Sequence, residues 1–220
     1  TAVDSSEADP DSARDQAAEP QPVMATAATT PHDYRTVRTA GELASLIDEW
    51  RRCEEICFDT ETTGLDPVSD AIIGISIAVE PHKAWYIPFE RDTREELAEL
   101  LRPLFEDESV AKVGQNMKFD IMMLRRAGIE VRGRKYDTMI MHYLLDPESR
   151  HNMDYLSERY LNYSPIPIET LIGKGARRLT MDMVGLDRVA EYAAEDADVT
   201  LRLKHALYPE LAEASMLDLY

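Results

Sequence analysis

The chain is short of cysteine, of positive charge and of long apolar runs, and each shortage excludes something. Only two cysteines, Cys53 and Cys57, occur in 220 residues. Alone they cannot make a cysteine-rich zinc site, and reduced thiols in a cytosolic protein are the expected state. No apolar run approaches the length of a membrane span, and no signal-peptide pattern opens the chain. Lys and Arg total 24 against 42 Asp and Glu, a net charge of −18. That balance lacks the basic footprint of a protein that grips a polyanion unaided. Strong binding to nucleic acid would need another domain or partner to supply most of the affinity. Histidines His82, His142, His151 and His205 show no metal-ligand spacing, and Gly173-Lys174-Gly175 lacks the spacing and strand context of a phosphate-cradling loop.

What is present is enough for one ordinary domain: 220 residues, 44% apolar. Residues 1–32 are rich in Ala, Ser, Pro and acids and carry almost no large apolar side chains. They cannot bury enough surface to offset their ordering entropy, so a disordered linker is expected there, with the folded domain at 33–220. The chain opens on Thr, as a fragment would. Thr39-Ala-Gly-Glu42 and Thr93-Arg-Glu-Glu96 are capping boxes that open helices. Strands are expected at 55–61, 71–79, 84–89 and 110–113, the second and third forming a hairpin. A helix at 117–127 stops at Gly128, and a short strand is expected at 129–131. Helices from about 138 and 154 follow, then a Pro- and Gly-containing loop at 163–180 with one short helix. A long helix at 186–207 and a short one after Pro209 close the chain. The order implies an α/β fold whose mixed β-sheet has an antiparallel half and is flanked by α-helices.

Four carboxylates in three separated segments stand out. Asp59 and Glu61 lie two apart on an apolar strand, so both point to one face while Ile56 and Phe58 point to the other. Asp120 rides on the inward stripe of its helix with Met117, Ile121 and Leu124. Tyr192 and Asp196 are i and i+4 on the last long helix, where Val199 and Leu203 continue the stripe. Taken singly, each has an ordinary structural explanation: a solvated pair, a helix-start acid, a core tyrosine beside an acid. Three inward acids on three elements are explained together only by a shared site. Converging acids repel and raise one another's pKa values unless divalent cations hold them. Oxygen ligands favour Mg²⁺ or Mn²⁺, and two such ions suit in-line phosphodiester cleavage.

The segments FDTETTGLDP (58–67), VGQNMKFDIMML (113–124) and EYAAEDADVTLRL (191–203) resemble the three motifs of the DEDD-type 3′–5′ exonucleases. Tyr192, four residues before the last acid, marks the DEDDy class. The whole of 34–220, including HNMDYLSERYL and GKGARRLT, is similar to the proofreading domain of bacterial family A DNA polymerases. The resemblance implies a ribonuclease H-like fold and two-metal hydrolysis that releases nucleoside 5′-monophosphates from a single-stranded or frayed DNA 3′ end. By position, Asp59, Glu61 and Asp196 would hold one ion, Asp59 would reach a second, and Asp120 would act at one remove through water. Tyr192 and Glu61 would orient the attacking water. Thr62 and Leu65 would touch the terminal nucleotide, Leu65 as an apolar wedge, and Asn116 would either bind the strand or brace the site. Lys174, Arg177 and Arg178 form a positively charged loop, a candidate phosphate contact. Ile168 departs from the family where some relatives carry an aromatic. The resemblance further implies a covalently linked polymerase domain, an upstream 5′-nuclease domain joined by the acidic leader, no membrane, and a bacterial cytoplasmic, nucleoid-associated setting. An exoribonuclease of the RNase D type shares the acids and the tyrosine and is the alternative. A non-catalytic spacer is a second alternative, opposed by the complete acid set.

Overall fold

The computed structural model describes residues 23–220. Its elements begin with strand Asp33–Thr36 (β1), helix Ala40–Trp50 (α1) and strands Glu55–Thr62 (β2), Ile72–Glu80 (β3) and Lys83–Pro88 (β4). Helix Arg94–Phe105 (α2), strand Ala111–Gly114 (β5), helix Lys118–Arg126 (α3) and strand Lys135–Asp137 (β6) come next. Helices Thr138–Leu145 (α4), Met153–Leu161 (α5), Ile168–Ile172 (α6) and Leu186–Glu213 (α7) complete the chain. The strands form one sheet in the order β1-β4-β3-β2-β5-β6. The β2–β3 and β3–β4 pairs are antiparallel, and β1–β4, β2–β5 and β5–β6 are parallel. This is the mixed, half-antiparallel sheet that the order of elements implies.

The alternation along β2 decides which helices cover which face. Ile56 and Phe58 enter a core with Leu43, Ile47 and Trp50 of α1 and Leu101, Leu104 and Phe105 of α2. Phe58 meets Phe105 edge-on, ring centroids 5.1 Å apart. Cys57 points the other way and packs with Ala78, Ala84 and Val113 against Ala194, Ala197 and Leu201 of α7. Small side chains on both surfaces let α7 lie close to the sheet, on the face toward which Asp59 and Glu61 project. Each fully buried Leu, Ile or Phe contributes about 1.5–3 kcal/mol, so these two layers hold the strand end in place.

The structure differs from the sequence reading at five places. Asp33–Thr36, read only as the start of folding, is an edge strand paired with β4. The strand expected at 129–131 does not form. Ile129 and Val131 are buried in the α1/α2 core, and the partner of β5 comes later, at Lys135–Asp137. Thr39 caps α1 through Glu42 N at 3.1 Å, but Thr93 makes no side-chain cap to α2. Its backbone is already helical (φ −108°, ψ −5°), so its hydroxyl cannot face the first-turn N–H groups. α7 does not break at Pro209 but runs to Glu213. Leu207 and Leu211 on either side are fully buried against Met141 of α4, and that packing offsets the proline's cost of about 3 kcal/mol. Of the expected leader, residues 1–22 lie outside the described residues. In 23–32, Ala25 bridges to Tyr163, with Ala25 N donating to Asn162 O at 3.0 Å and Ser164 N donating to Ala25 O at 2.8 Å.

Candidate active site

β2 carries Asp59 and Glu61 to its end, where the ladder with β3 shifts register between Glu61 and Thr62. A shift of this kind bends a strand and re-aims its side chains. Opposite Glu61 in the ladder is Gly74, where a Cβ would lie 2.1 Å from the Tyr86 hydroxyl. The glycine admits the Tyr86 ring beside Glu61. Burial raises the phenol's pKa, and the Glu61 charge raises it further. From α7, Asp196 meets the strand end. One carboxylate oxygen each of Asp59, Glu61 and Asp196 lies within 4.8 Å of the others.

Asp120 approaches from the opposite side. It sits in the first turn of α3, and its Oδ1 accepts from Thr60 N at 3.1 Å and from the Thr60 hydroxyl. Thr60 alternates with Asp59 and Glu61, so one strand end receives acids over both faces. Asp120 therefore flanks the three-acid cluster rather than joining it.

The electrostatics are those of a site short of positive charge. Burial pushes Asp59 well above the usual carboxylate range, and Asp120, Glu61 and Asp196 add to the shift. Burial and then Asp120 raise Glu61 to about 7. Burial raises Asp120 to about 6 against the hydrogen bonds from Thr60. Asp196 is raised by burial and next by Glu61. Its Oδ1 is buried without a hydrogen-bond partner among the described residues. An orphaned carboxylate oxygen beside two further acids is costly with nothing bound and suits a hard divalent cation. The donor set thus fits Mg²⁺ or Mn²⁺. The Tyr192 hydroxyl is raised by burial and then by the charges of Asp196, Glu61 and Asp59, so it faces the same cluster.

Two neighbouring acids on α7 do something else. Glu195, fully buried, accepts from the Tyr163 hydroxyl and from Ile166 N, each at 2.6 Å. Asp198, also fully buried, accepts from His82 N at 2.6 Å and from the Tyr34 hydroxyl at 2.8 Å. The first fastens the loop before α6. The second fastens the β3–β4 turn, where His82 has φ +67°, and the edge strand β1.

A cleft of about 710 Å³ opens over Asp59, Glu61 and Asp120, while Asp196 and Tyr192 stand behind Asp59 and Glu61 and are not among its walls. Of the residues expected from sequence, Asp59, Glu61, Asp120, Thr62, Leu65, Asn116 and Arg178 line it. Lys174 and Arg177 are not among its walls, and the charged loop is therefore split, with Arg178 alone facing the cleft. Leu65 is 86% exposed and stands free at the rim. Ile168 also lines the cleft, as do Gln115, Phe119, Ile172, Leu179 and Met181, which sequence reasoning missed. Gln115 and Phe119 lie within the second motif and were open to discovery there. Nothing in the pattern marks Ile172, at the end of the short helix α6, or Leu179 and Met181, which the following loop with its two 3₁₀ turns brings in. The histidines held one surprise: the Nδ1 atoms of His142 and His151 are 2.7 Å apart.

The 3′–5′ exonuclease family of the family A polymerases matches residues 34–212. The chain belongs to the 3′–5′ exonuclease family of DNA polymerase I. This exonuclease is 40% identical over 190 residues to DNA polymerase I of Pseudomonas aeruginosa, covering 81% of the chain and 21% of that protein. It is 37% identical to DNA polymerase I of Chloroflexus aurantiacus, covering 93% of the chain and 22% of that protein. The exonuclease thus spans about a fifth of these relatives. Among solved structures it is similar to Escherichia coli RNase D, an exoribonuclease involved in structured RNA processing, with a TM-score of 0.69 and 20% identity over 84% of the chain and 47% of that one. It is also similar to Brucella melitensis NrnC with bound Mg²⁺, with a TM-score of 0.64 and 21% identity over 89% of the chain and 86% of that one. These likenesses establish the ribonuclease H-like fold. The exonuclease family uses divalent metal. Among the described residues, no helix is long and apolar enough to cross a membrane.

Proposed function

We propose that this exonuclease shortens single-stranded or frayed 3′ ends of DNA, releasing nucleoside 5′-monophosphates, and edits mismatched termini for a covalently linked polymerase domain. The observation that carries the reading is the meeting of Asp59, Glu61 and Asp196 within 4.8 Å, beside a cleft whose other walls are mostly apolar and uncharged. Sequence relatives at 37–40% identity are DNA polymerases, whereas the RNase D likeness is one of fold, so DNA is favoured over RNA.

Asp59, Glu61 and Asp196 would hold divalent cation, Mg²⁺ or Mn²⁺; Asp59 would also reach a second ion, with Asp120 acting at one remove through water. When bound, two such ions supply the positive charge that stabilises the phosphorane-like charge of an in-line displacement. The chain's own groups do the rest. The Tyr192 hydroxyl and Glu61 orient a water against the phosphorus, and a Glu61 carboxylate oxygen accepts a proton from it. Thr62, Asn116 and Phe119 flank the terminal nucleotide, and Leu65 and Ile168 offer apolar surface to unpaired bases. Tyr192→Phe should lower kcat by about ten- to a hundredfold with KM little changed, because water orientation is shared with Glu61. Single-turnover rates on a short DNA strand measure this, and a wild-type kcat would remove Tyr192 from the mechanism.

Arg178 is the phosphate contact of the charged loop. Arg178→Ala should weaken binding of an oligothymidylate and reduce the slope of log affinity against log salt by about 0.7, the value for one phosphate on a single strand. Arg177→Ala, outside the cleft, should leave both unchanged. The net charge of −18 makes unaided DNA binding weak, in keeping with a linked polymerase that presents the strand. In that setting the acidic leader serves as the linker from an upstream 5′-nuclease domain, with Ala25 near its end anchored on the domain, and the parent protein works in the bacterial cytoplasm at the nucleoid.

The experiment is digestion of matched DNA and RNA oligonucleotides with 3′ overhangs, in Mg²⁺ and in Mn²⁺, beside Asp59→Ala and EDTA controls. Stepwise 3′ shortening of DNA that both controls abolish is expected. Preferential shortening of RNA would replace the reading with the exoribonuclease one. No shortening of either strand at high enzyme and metal would leave either an inert brace or a domain that needs its polymerase to hold DNA, and a Mn²⁺ titration of the same sample would tell the two apart.

A further inference from the structure

We propose that Asp137 is a positioning residue for the exonuclease site, because its carboxylate fixes the turn that delivers Asn116 and Asp120. The inference rests on the reading of Asp120 as part of the reacting centre.

β5 and β6 run parallel with Gly114 opposite Asp137. β5 leads through Gln115 and Asn116 into α3, and β6 leads directly into α4. The Asp137 side chain, 7% exposed, lies between the two exits. Its Oδ1 accepts from Met139 N at 3.0 Å and Ile140 N at 3.4 Å, an N-cap for α4. The same Oδ1 accepts from Asn116 N at 3.0 Å, and Oδ2 accepts from Met117 N at 2.9 Å. Met117 is itself the N-cap position of α3 and makes no side-chain cap there. One carboxylate from a neighbouring strand therefore satisfies donors at the starts of two helices, where negative charge is favoured.

The turn needs such a hold. Asn116 has φ +56°, in the left-handed region that costs a residue other than glycine roughly 1–2 kcal/mol. Asn116 lines the cleft, and three residues beyond Met117 the Asp120 carboxylate receives Thr60. If the turn relaxes, Asn116 and the first turn of α3 move together. Bonds to a buried carboxylate are among the stronger ones available for preventing this. Asp137 lines no part of the cleft and bonds to none of the acids; it acts mainly through the backbone, and its charge adds the smallest of the effects on Asp120, an upward push.

Two substitutions separate its roles. Asp137→Ser keeps an oxygen able to cap α4 but is too short to reach Asn116 N and Met117 N. Asp137→Asn keeps the size and sets an amide N–H against one of the backbone donors. With Asp137→Ser, amide hydrogen exchange at Asn116 and Met117 should accelerate; with Asp137→Asn, whose oxygen can keep the three donors on Oδ1, exchange should accelerate at Met117. With Asp137→Ser, exchange at Met139 and Ile140 should stay slow. At saturating metal and well below Tm, kcat should fall about ten- to a hundredfold, the range expected when a reacting group shifts by about 1 Å. Calorimetric titration of Mn²⁺ without substrate should show several-fold weaker binding. A purely stabilising residue would lower Tm and leave kcat and Mn²⁺ affinity as in wild type, and that result in a folded variant overturns the inference. Should Asp137→Ser fail to fold, Asp137→Asn decides by the same criteria. A wild-type protein that neither binds Mn²⁺ nor cleaves DNA would instead overturn the reading of the site itself.

Discussion

Asp196→Asn should abolish 3′ shortening, by about a thousandfold or more, and yet leave a folded protein that is more stable without metal than the wild type. The loss of activity follows from geometry. Asp196 is the one member of the three-acid cluster that comes from α7, and its Oδ1 has no hydrogen-bond partner among the described residues. Replacing a carboxylate that holds cation removes charge stabilisation that nothing else supplies, a loss on the order of several kcal/mol in the transition state. The gain in stability follows from the same facts. Its ionised form is disfavoured by burial and by Glu61, and the amide takes away that repulsion. Rates over a long incubation and thermal melts in EDTA check both halves. Activity within tenfold of wild type would remove Asp196 from the metal site. A large fall in metal-free Tm would mean that the carboxylate is structural.

Without divalent metal, the wild-type protein should become less stable as pH rises from about 4.5 through about 7. Glu61 has an ordinary value of 4.5 and is raised to about 7 in the fold, and Asp120 is raised from 3.8 to about 6. The folded protein binds these protons more tightly than the unfolded chain does, so protonation favours folding. That contribution is full below the unfolded values and is lost as pH climbs through the folded ones. For Glu61 alone it is on the order of 3 kcal/mol, or roughly 5–10 °C in Tm for a domain of this size. Mg²⁺ takes over the protons' role, so its stabilisation should be small at pH 5 and largest at pH 8. Melts at pH 5, 6, 7 and 8, with EDTA and with Mg²⁺, read the effect directly. A metal-free Tm that rises across that range would contradict the repulsion described here.

Much of the site was legible because acids on apolar stripes break a pattern. Asp59 and Glu61 share a strand face with period two. Asp196 interrupts a helical stripe, and a reader who knows these periods places all three without coordinates. Asp120 was legible as inward-facing but not as bonded to Thr60, because that contact joins residues 60 apart. The sheet's order was visible only in outline. β1 escaped notice because four residues of an edge strand have too little pattern to signal themselves. The strand expected at 129–131 went astray because Ile129 and Val131 alternate as a strand would while packing into a core. The cleft wall at Ile172, Leu179 and Met181 was invisible, since a five-residue helix and the irregular backbone after it are too short to show a period. Arg177 and Arg178 look alike in sequence, and the direction of a single turn separates them.

Glu195, Asp196 and Asp198 lie within one turn of α7, and exchanging any of them for its amide changes the chain by one atom. The three exchanges nevertheless ask different questions of the molecule. At 195 the change weakens the tie to Tyr163 and Ile166 and lets a wall of the cleft wander. At 196 it is expected to stop 3′ shortening. At 198 it loosens Tyr34 and His82 at the far edge of the sheet. A survey of variants that scored these positions together as lost charge would average a specificity defect, a dead enzyme and a folding defect into one meaningless number. Kept apart, the three form an internal standard, in which the middle substitution reports on catalysis and its neighbours on the frame that holds it.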